Sequence, residues 1–198
     1  MKKNKYNIAI VGATGAVGQE MMQILEERNF PVGELRLIAS ERSAGKKLKF
    51  KENEIEIKIL DRSSFQNIDI ALFSAGAQRS KEFAESAVES GAVVVDNSSA
   101  FRMESGIPLV IPEINPEAVK KHKGIIANPN CTTAVSLMAL KPIYDLSRIK
   151  RVVATSFQSV SGAGAGGILE LENQIKKWPN INASDSNTFP YQIAFNVI

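Results

Sequence analysis

The chain has 198 residues and 44% hydrophobic content, enough for the core of one large domain or of one domain with part of another. Lys and Arg total 24 against 21 Asp and Glu, and the net charge of +3 is too small to indicate nucleic-acid binding. One cysteine excludes an internal disulfide and suits a reducing cytoplasm, no segment predicts a membrane span, and an anionic small ligand remains compatible with the composition.

The N-terminal residues predict a strand joined to a helix by a glycine-rich turn. Tyr6–Val11 is a short apolar run typical of a buried parallel strand, and apolar residues recur at helical spacing from Val17 to Arg28. Between them lies Gly12-Ala-Thr-Gly-Ala-Val-Gly18, whose glycines permit a tight turn and let backbone amides approach a pyrophosphate. The spacing is GxxGxxG rather than GxGxxG, so the motif by itself favours a dinucleotide site no more than a plain glycine turn.

The second predicted strand, Glu34–Ser40, ends where an acidic side chain would hold the ribose hydroxyls of NAD. Ser40 takes the place of that acid, and Arg42 and Ser43 offer a cation and a hydroxyl suited to a 2′-phosphate. The pattern therefore favours NADP over NAD, with Glu41 as an alternative ribose acid.

The following residues alternate between strands and a helix. Residues 46–60 predict a hairpin, Asp69–Gly76 a buried strand with a small-residue turn, and Ala92–Asp96 the strand after the next helix. This order predicts an α/β fold with a mostly parallel, doubly wound, Rossmann-like sheet. Ligands bind such sheets at the carboxyl ends of the strands, where Gly76 and Asn97 lie.

The polar segment Asp96–Met103 follows a strand end and contains one fixed cation, Arg102. With Asn97 and Ser98, this arginine is suited to hold an anion such as phosphate or carboxylate. A surface salt bridge is an equally good interpretation of the same residues.

A helix is predicted from Asn115, its cap, and Pro116 to about Lys123. His122, the only histidine, lies in the charged last turn of this helix. We interpret it as a solvated or capping residue rather than a catalytic one.

The only cysteine lies where the strand Ile125–Ala127 gives way to a helix that either Asn128 or Asn130 is able to cap. Cys131 is then in the first helical turn, where unpaired N–H groups and the positive end of the helix dipole favour the thiolate. A lone cysteine is most often a small buried hydrophobe, but this polar, turn-forming surrounding favours a nucleophile.

After the cysteine, Pro142 is expected to kink or end the helix. Ile149–Val160 predicts a long strand, and the glycine-rich residues 159–167 lead into another helix. That helix is marked by apolar residues at helical spacing: Ile168, Leu171, Ile175 and Trp178.

Six segments, in this order, resemble aspartate-semialdehyde dehydrogenase: Gly12–Gly18, Ser40–Lys46, Asp96–Met103, Ile111–Asn115, Asn128–Thr133 and Gln158–Gly164. The resemblance runs from Asn7 to about Asn196. It implies an NADP-binding Rossmann-like domain over residues 1–128 and the beginning of a catalytic and dimerisation domain, truncated, over residues 129–198.

The implied reaction is the reversible, NADP-dependent conversion of aspartate semialdehyde and phosphate to aspartyl phosphate. This cytoplasmic step leads to lysine (through diaminopimelate), threonine and methionine. The resemblance also implies a homo-oligomer, dimer or tetramer, for the full-length enzyme, and no membrane, nucleic acid or metal ion is expected as a partner.

The resemblance further implies residue roles. Cys131 would be the acylated nucleophile, and Gln158 would orient the substrate carbonyl. Asn130 would be a third catalytic residue. Asn97, Arg102 and Gln158 would bind substrate or phosphate. The residues implied to bind NADP are Gly12, Thr14, Gly15, Ala16, Val17, Arg42, Ser43, Ser74, Gly76, Ser161 and Gly162.

Members of this family are considerably longer, and their general-base histidine and substrate-carboxylate arginine lie downstream of Ile198. The chain is therefore expected to be an N-terminal fragment that is inactive by itself. Two other hypotheses remain. One is acetylglutamyl-phosphate reductase, which resembles Gly-Cys-Tyr-Pro around its nucleophile where this chain has Asn-Cys-Thr-Thr. The other is a noncatalytic nucleotide-binding or assembly module.

Overall fold

A seven-stranded sheet organises the first part of the chain. The computed structural model describes residues 3–198, apart from the side chain of residue 183. The chain divides into two compact units, which meet in sequence after Val152. The strands, all in the first unit, are β1 (Tyr6–Val11), β2 (Val32–Ala39), β3 (Lys47–Phe50), β4 (Asn53–Ile59), β5 (Ile70–Phe73), β6 (Val93–Asp96) and β7 (Ile125–Ala127). The helices are α1 (Ala16–Glu27), α2 (Ala77–Glu89) and α3 (Cys131–Leu146) in the first unit and α4 (Gly164–Lys177) in the second.

The strand order is β3-β4-β2-β1-β5-β6-β7. All neighbouring strands are parallel except β3 and β4, which form the antiparallel hairpin. The chain leaves β1 toward β2 on one side and later returns to β5 on the other, so the winding direction reverses at β1. Ligands of such sheets bind in the crevice at this reversal. The predicted fold class is confirmed.

Both faces of the sheet are covered, which is why β1 is apolar without alternation. Ile8 and Ile10 face one cluster with Met22 of α1, while Ala9 and Val11 face the other with Phe83 of α2. Full burial of a large apolar side chain contributes roughly 1.5–3 kcal/mol. The two clusters therefore fix both helices, and with them the turns that precede each helix at the carboxyl edge of the sheet.

Two predictions of local structure were wrong. Residues 149–159 are not a strand: no strand among residues 3–198 pairs with them, and Val153 and Phe157 are each 81% exposed. A helix predicted from Asn115 is only a short 3₁₀ helix, Pro116–Lys121, because the Asn115 side chain bonds Ile111 N–H instead of capping.

Pro142 does not end α3, since the helix continues to Leu146. A kink at this proline, the other expected effect, stays a prediction. In the described part of the chain, no helix is long and apolar enough to cross a membrane.

Candidate functional site

Gly12 and Gly18 of the first turn both lie where a Cβ would overlap backbone atoms. Gly12 has φ +91°, and a Cβ there would lie 2.4 Å from the carbonyl oxygen of Ser74 at the end of β5. Gly18 lies in α1, and a Cβ there would lie 2.3 Å from the carbonyl oxygen of Gly12. The turn after β1 therefore packs tightly between the end of β5 and the first turn of α1.

Gly15 is the N-cap of α1 and has no side chain with which to bond the first helical amides. The N–H groups at a helix start have no partner within the helix, so those of Ala16 and Val17 suit an anionic ligand. Both residues are exposed. The turn thus has the donors and the open space that a pyrophosphate requires.

A cavity of about 770 Å³ lies at the carboxyl ends of β1 and β2. Gly12, Thr14 and Arg42 line it, and the Ser43 hydroxyl lies 3.5 Å from that of Thr14. The volume is within the range of small-molecule sites. Glu41, the alternative ribose acid, lines the same cavity.

Ser74 and Gly76 shape the far side of this turn through their backbones. The Ser74 N–H donates to the carbonyl oxygen of Val11 at 2.8 Å. Gly76 is the N-cap of α2 with φ +85°, and no atom lies within 4 Å of where its Cβ would be. The glycine is required there by its backbone conformation rather than by lack of space.

Arg102 joins the ends of β6 and β7. Its Nε donates to the carbonyl oxygen of Asn128 at 2.9 Å and its Nη2 to that of Asn97 at 3.2 Å. The Asn128 side-chain amide donates to Asn97 Oδ1 at 2.6 Å. No carboxylate pairs with Arg102 within residues 3–198, so the salt-bridge interpretation is wrong.

Ser98 does not join this cluster, contrary to the sequence interpretation. Its hydroxyl donates to Asp96 Oδ2 at 2.8 Å, and the Ser80 hydroxyl donates to Asp96 Oδ1 at 2.5 Å. Asp96 and Ser80 are fully buried. The carboxylate therefore ties the start of the polar segment to α2 and leaves Arg102 and Asn97 at the edge.

Cys131 is the first residue of α3 and is exposed. Of the two candidate caps, Asn130 is the N-cap: its Oδ1 accepts N–H bonds from Thr132 at 3.0 Å and Thr133 at 3.4 Å. Two of the amides expected to face the thiol are thus bonded to Asn130. The expectation of unpaired N–H groups is therefore wrong for these two.

In the second unit, Gln158, Ser161 and Gly162 form a local cluster before α4. The Ser159 hydroxyl accepts hydrogen bonds from Ser161 N–H at 3.4 Å and from the Ser161 hydroxyl at 3.2 Å. A Cβ on Gly162 would lie 1.7 Å from Nε2 of Gln158. Only glycine lets the Gln158 amide lie against the backbone at this point.

The second unit is organised by two buried polar side chains of α4, which the sequence analysis missed. Gln174 is fully buried, and its Oε1 accepts from Ile193 N–H and Ala194 N–H, both at 2.9 Å. Glu170 accepts from the amides of Asn187 and Thr188. The apolar residues expected to mark this helix are less enclosed, with Ile175 and Trp178 48% and 58% exposed.

The ionisation of Glu170 follows from these contacts. Burial raises the pKa of the Glu170 carboxyl, but the hydrogen bonds from the amides of Thr188 and Asn187 outweigh it and hold that pKa below its ordinary value. The carboxylate form therefore ties the 187–188 loop to α4.

The sequence analysis also missed Asn128 as a bridge to Asn97, and Arg79 and Glu82 as cavity residues. His122 accepts a hydrogen bond at Nδ1 from Gly124 N–H at 3.0 Å, in agreement with a capping role.

The fold defines a dinucleotide-binding protein of the doubly wound α/β class. The family model described as "Semialdehyde dehydrogenase, NAD binding domain" matches residues 7–122, and "Semialdehyde dehydrogenase, dimerisation domain" matches residues 140–198. The chain belongs to the semialdehyde dehydrogenase family. The predicted domain boundary after residue 128 falls between the two matches and stays a prediction.

Within this family the chain is similar to aspartate-semialdehyde dehydrogenases, which confirms the resemblance found in the sequence. It is 57% identical to the protein from Aquifex aeolicus over 197 residues, 98% of this chain and 58% of that protein. The crystal structure of aspartate semialdehyde dehydrogenase II complexed with ASA from Vibrio cholerae has 50% identity and a TM-score of 0.90, covering 98% of this chain and 58% of that one.

A more distant structure, aspartate semialdehyde dehydrogenase with NADP from Candida albicans, has 29% identity and a TM-score of 0.62. It covers 73% of this chain and 48% of that chain. The present chain thus spans about 58% of the length of the first curated relatives it matches.

Proposed function

We propose that this chain carries the NADP-binding and nucleophile-bearing part of an aspartate-semialdehyde dehydrogenase. The reaction is the reversible conversion of aspartate semialdehyde, phosphate and NADP to aspartyl phosphate and NADPH. The supporting observation is the position of Cys131 at the start of α3, three residues after Asn128, whose carbonyl holds Arg102. One short segment at the carboxyl edge of the sheet thus carries the nucleophile, Cys131, and also holds the cation, Arg102, through the carbonyl of Asn128.

The chemistry follows from a thiolate at this position. In the oxidative direction, the Cys131 sulfur adds to the aldehyde carbonyl and forms a carbon–sulfur bond. NADP, when bound, accepts the hydride, which leaves a thioester on the sulfur. Phosphate then attacks that thioester, the carbon–sulfur bond breaks, and the thiolate is regenerated as aspartyl phosphate departs. One difficult oxidation is thereby divided into two easier steps.

Arg102 and Asn97 would bind phosphate in this scheme, since Nη2 and Nε of the guanidinium are held by carbonyls at two strand ends and fix its plane. Gln158 would orient the substrate carbonyl, with Gly162 leaving space for its amide. Asn130 supports Cys131 by capping the helix that carries it.

The residues at the glycine turn fit NADP. A Cβ at Gly12 would strike Ser74, and the uncapped start of α1 offers amides for the pyrophosphate of a dinucleotide. Arg42 and Ser43 would bind the 2′-phosphate, while Ser161 and Gly162 would lie at the nicotinamide end. The match to a dimerisation domain supports a homo-oligomeric enzyme, and a thiol nucleophile suits the reducing cytoplasm.

Cofactor choice is tested by titrating the chain with NADPH and with NADH. We expect tighter binding of NADPH, and Arg42→Ala should remove this preference without loss of the far-ultraviolet circular dichroism of the sheet. Equal or reversed affinities in the unaltered chain would overturn the NADP assignment.

The reaction is tested in the protein that carries residues 1–198, by following phosphate-dependent formation of NADPH from aspartate semialdehyde. Cys131→Ser should abolish turnover but leave NADPH binding unchanged, because the thiol is needed only for the covalent steps. A Cys131→Ser protein that retains the rate, or a rate independent of phosphate, would exclude the proposed mechanism. Nucleotide binding without turnover would favour a noncatalytic module.

A further inference from the structure

Two charged side chains of α2 line the nucleotide cavity and have no role in the reaction proposed above. Arg79 and Glu82 reach the cavity from α2, which follows β5, and Arg42 reaches it from the end of β2. Since β5 and β2 flank β1 on opposite sides, the two arginines belong to opposite sides of the crevice.

The backbone at Arg79 is held firmly in place. The next residue, Ser80, is fully buried and donates its hydroxyl hydrogen to Asp96 at 2.5 Å. One turn further, Phe83 is buried in the core cluster beneath α2. The guanidinium therefore moves only by side-chain rotation about a fixed attachment point next to the cavity.

The partner of Arg79 is weak enough to be exchanged. Its Nη1 lies 3.0 Å from Oε2 of Glu82, and the two side chains are 53% and 47% exposed. Ion pairs this open to water contribute little, because the charges are screened and both side chains lose conformational freedom. A phosphate, with up to two negative charges and three acceptor oxygens, is a stronger guanidinium partner than a screened carboxylate.

The charged side chains around the cavity are balanced. The ionisable side chains that line it are Glu41, Arg42, Arg79 and Glu82, and their charges cancel. If Arg42 were the only cation beside the 2′-phosphate, the phosphate would have one positive partner. The residue before Arg42 is Glu41, whose carboxylate is negative like the phosphate. We propose that Arg79 is a second cation for the 2′-phosphate of NADP, released from Glu82 on binding, and thus a further residue that determines cofactor specificity. This inference rests on the proposed NADP function.

The experiment compares four chains: unaltered, Arg79→Ala, Arg79→Lys and Lys81→Ala. Lys81 is the matched control, because it is an exposed cation on the same helix that does not line the cavity. Each chain is titrated with NADPH and NADH, and with 2′,5′-ADP and 5′-AMP, which differ by the phosphate alone.

Arg79→Ala should weaken NADPH and 2′,5′-ADP by about tenfold, the effect of losing one charge-assisted hydrogen bond, and leave NADH and 5′-AMP within about twofold. Arg79→Lys should restore part of the loss, and Lys81→Ala should bind as the unaltered chain does. A structural role would weaken all four ligands equally, and that result, or no change at all, would overturn the proposal.

The outcomes separate this inference from the function beneath it. If Arg42→Ala weakens NADPH and 2′,5′-ADP selectively and Arg79→Ala leaves their affinities unchanged, the second cation is excluded while the NADP function stands. If the unaltered chain shows no preference for the phosphorylated ligands, both are overturned.

Discussion

Close packing against backbone atoms of the glycine turn makes Gly18 a decisive position. A Cβ there would lie 2.3 Å from the carbonyl oxygen of Gly12 and 2.8 Å from the Cα of Ala13. Both neighbours are backbone atoms, which cannot rotate away as a side chain can. Gly18→Ala therefore places a methyl group roughly 1 Å inside ordinary van der Waals contact and must push α1 away from the turn.

The magnitude follows from two opposing effects. Replacing glycine by alanine inside a helix normally stabilises the helix by about 1 kcal/mol. Overpacking against fixed atoms costs about 1–3 kcal/mol, and here no flexible neighbour absorbs it. We expect a net loss of about 1–2 kcal/mol in the free energy of unfolding, and about tenfold weaker NADPH binding, because the amides of Ala16 and Val17 move with α1.

Urea unfolding followed by circular dichroism measures the stability, since the strands and three of the four helices lie in the first unit. Glu20→Ala is the matched control, an exposed position on α1 where the change should stay within about 0.5 kcal/mol and leave binding unaltered. If Gly18→Ala is as stable as the unaltered chain and binds NADPH equally well, the packing argument is wrong.

Three further predictions concern the other parts of the site. Gln174→Leu leaves the N–H groups of Ile193 and Ala194 without their acceptor, and should destabilise the second unit by about 2–4 kcal/mol. The only tryptophan lies in that unit, so its fluorescence follows the urea unfolding of the unit. An unchanged midpoint of this unfolding transition would refute the prediction. The folded-state pKa of Glu170 is lowered, so its stabilisation is present above about pH 4.3 and lost as the pH falls through the folded-state pKa. The stability difference between the unaltered chain and Glu170→Gln should therefore shrink in acid, and a difference independent of pH would contradict this. Cys131 should react with iodoacetamide faster than glutathione at neutral pH, and Asn130→Ala should reduce that rate by fraying the helix start; a rate equal to that of glutathione would exclude activation.

The sequence predicted the first strand, its glycine turn and the following helix because their signals are local. The three elements follow one another within about thirty residues, so their order and approximate bounds are readable without a distant partner. The same holds for Cys131, whose helix start is set by the adjacent Asn130. What each of these groups binds remains a prediction.

The remaining features depend on tertiary partners that no local pattern encodes. Ile149–Val160 has the composition of a strand, but a strand forms only where another offers unpaired N–H and C=O groups. Gln174 was missed for the opposite reason: a polar residue on a helix predicts solvent, unless a distant loop supplies amides for it to bond. Arg79 required the strand order, which places the end of β5 and the following α2 across β1 from the end of β2, on the other side of one cavity.

The strand order also constrains what kind of ligand is able to serve both halves of the site. Arg42 follows β2 and Cys131 follows β7. Between these strands lie β1, β5 and β6, so four strand spacings of about 4.8 Å each, about 19 Å in all, separate the two ends. A phosphate or a substrate of a few atoms cannot contact both, and a ligand held at Arg42 reaches the nucleophile only if it is extended across the crevice at β1. The glycine turn follows β1, one strand spacing from β2 and three from β7, so its amides lie between the two ends, on the path of such a ligand. A pyrophosphate joining two nucleosides has that form, so the spacing of the strands is compatible with a dinucleotide that extends from the cavity at Arg42 toward the substrate of Cys131.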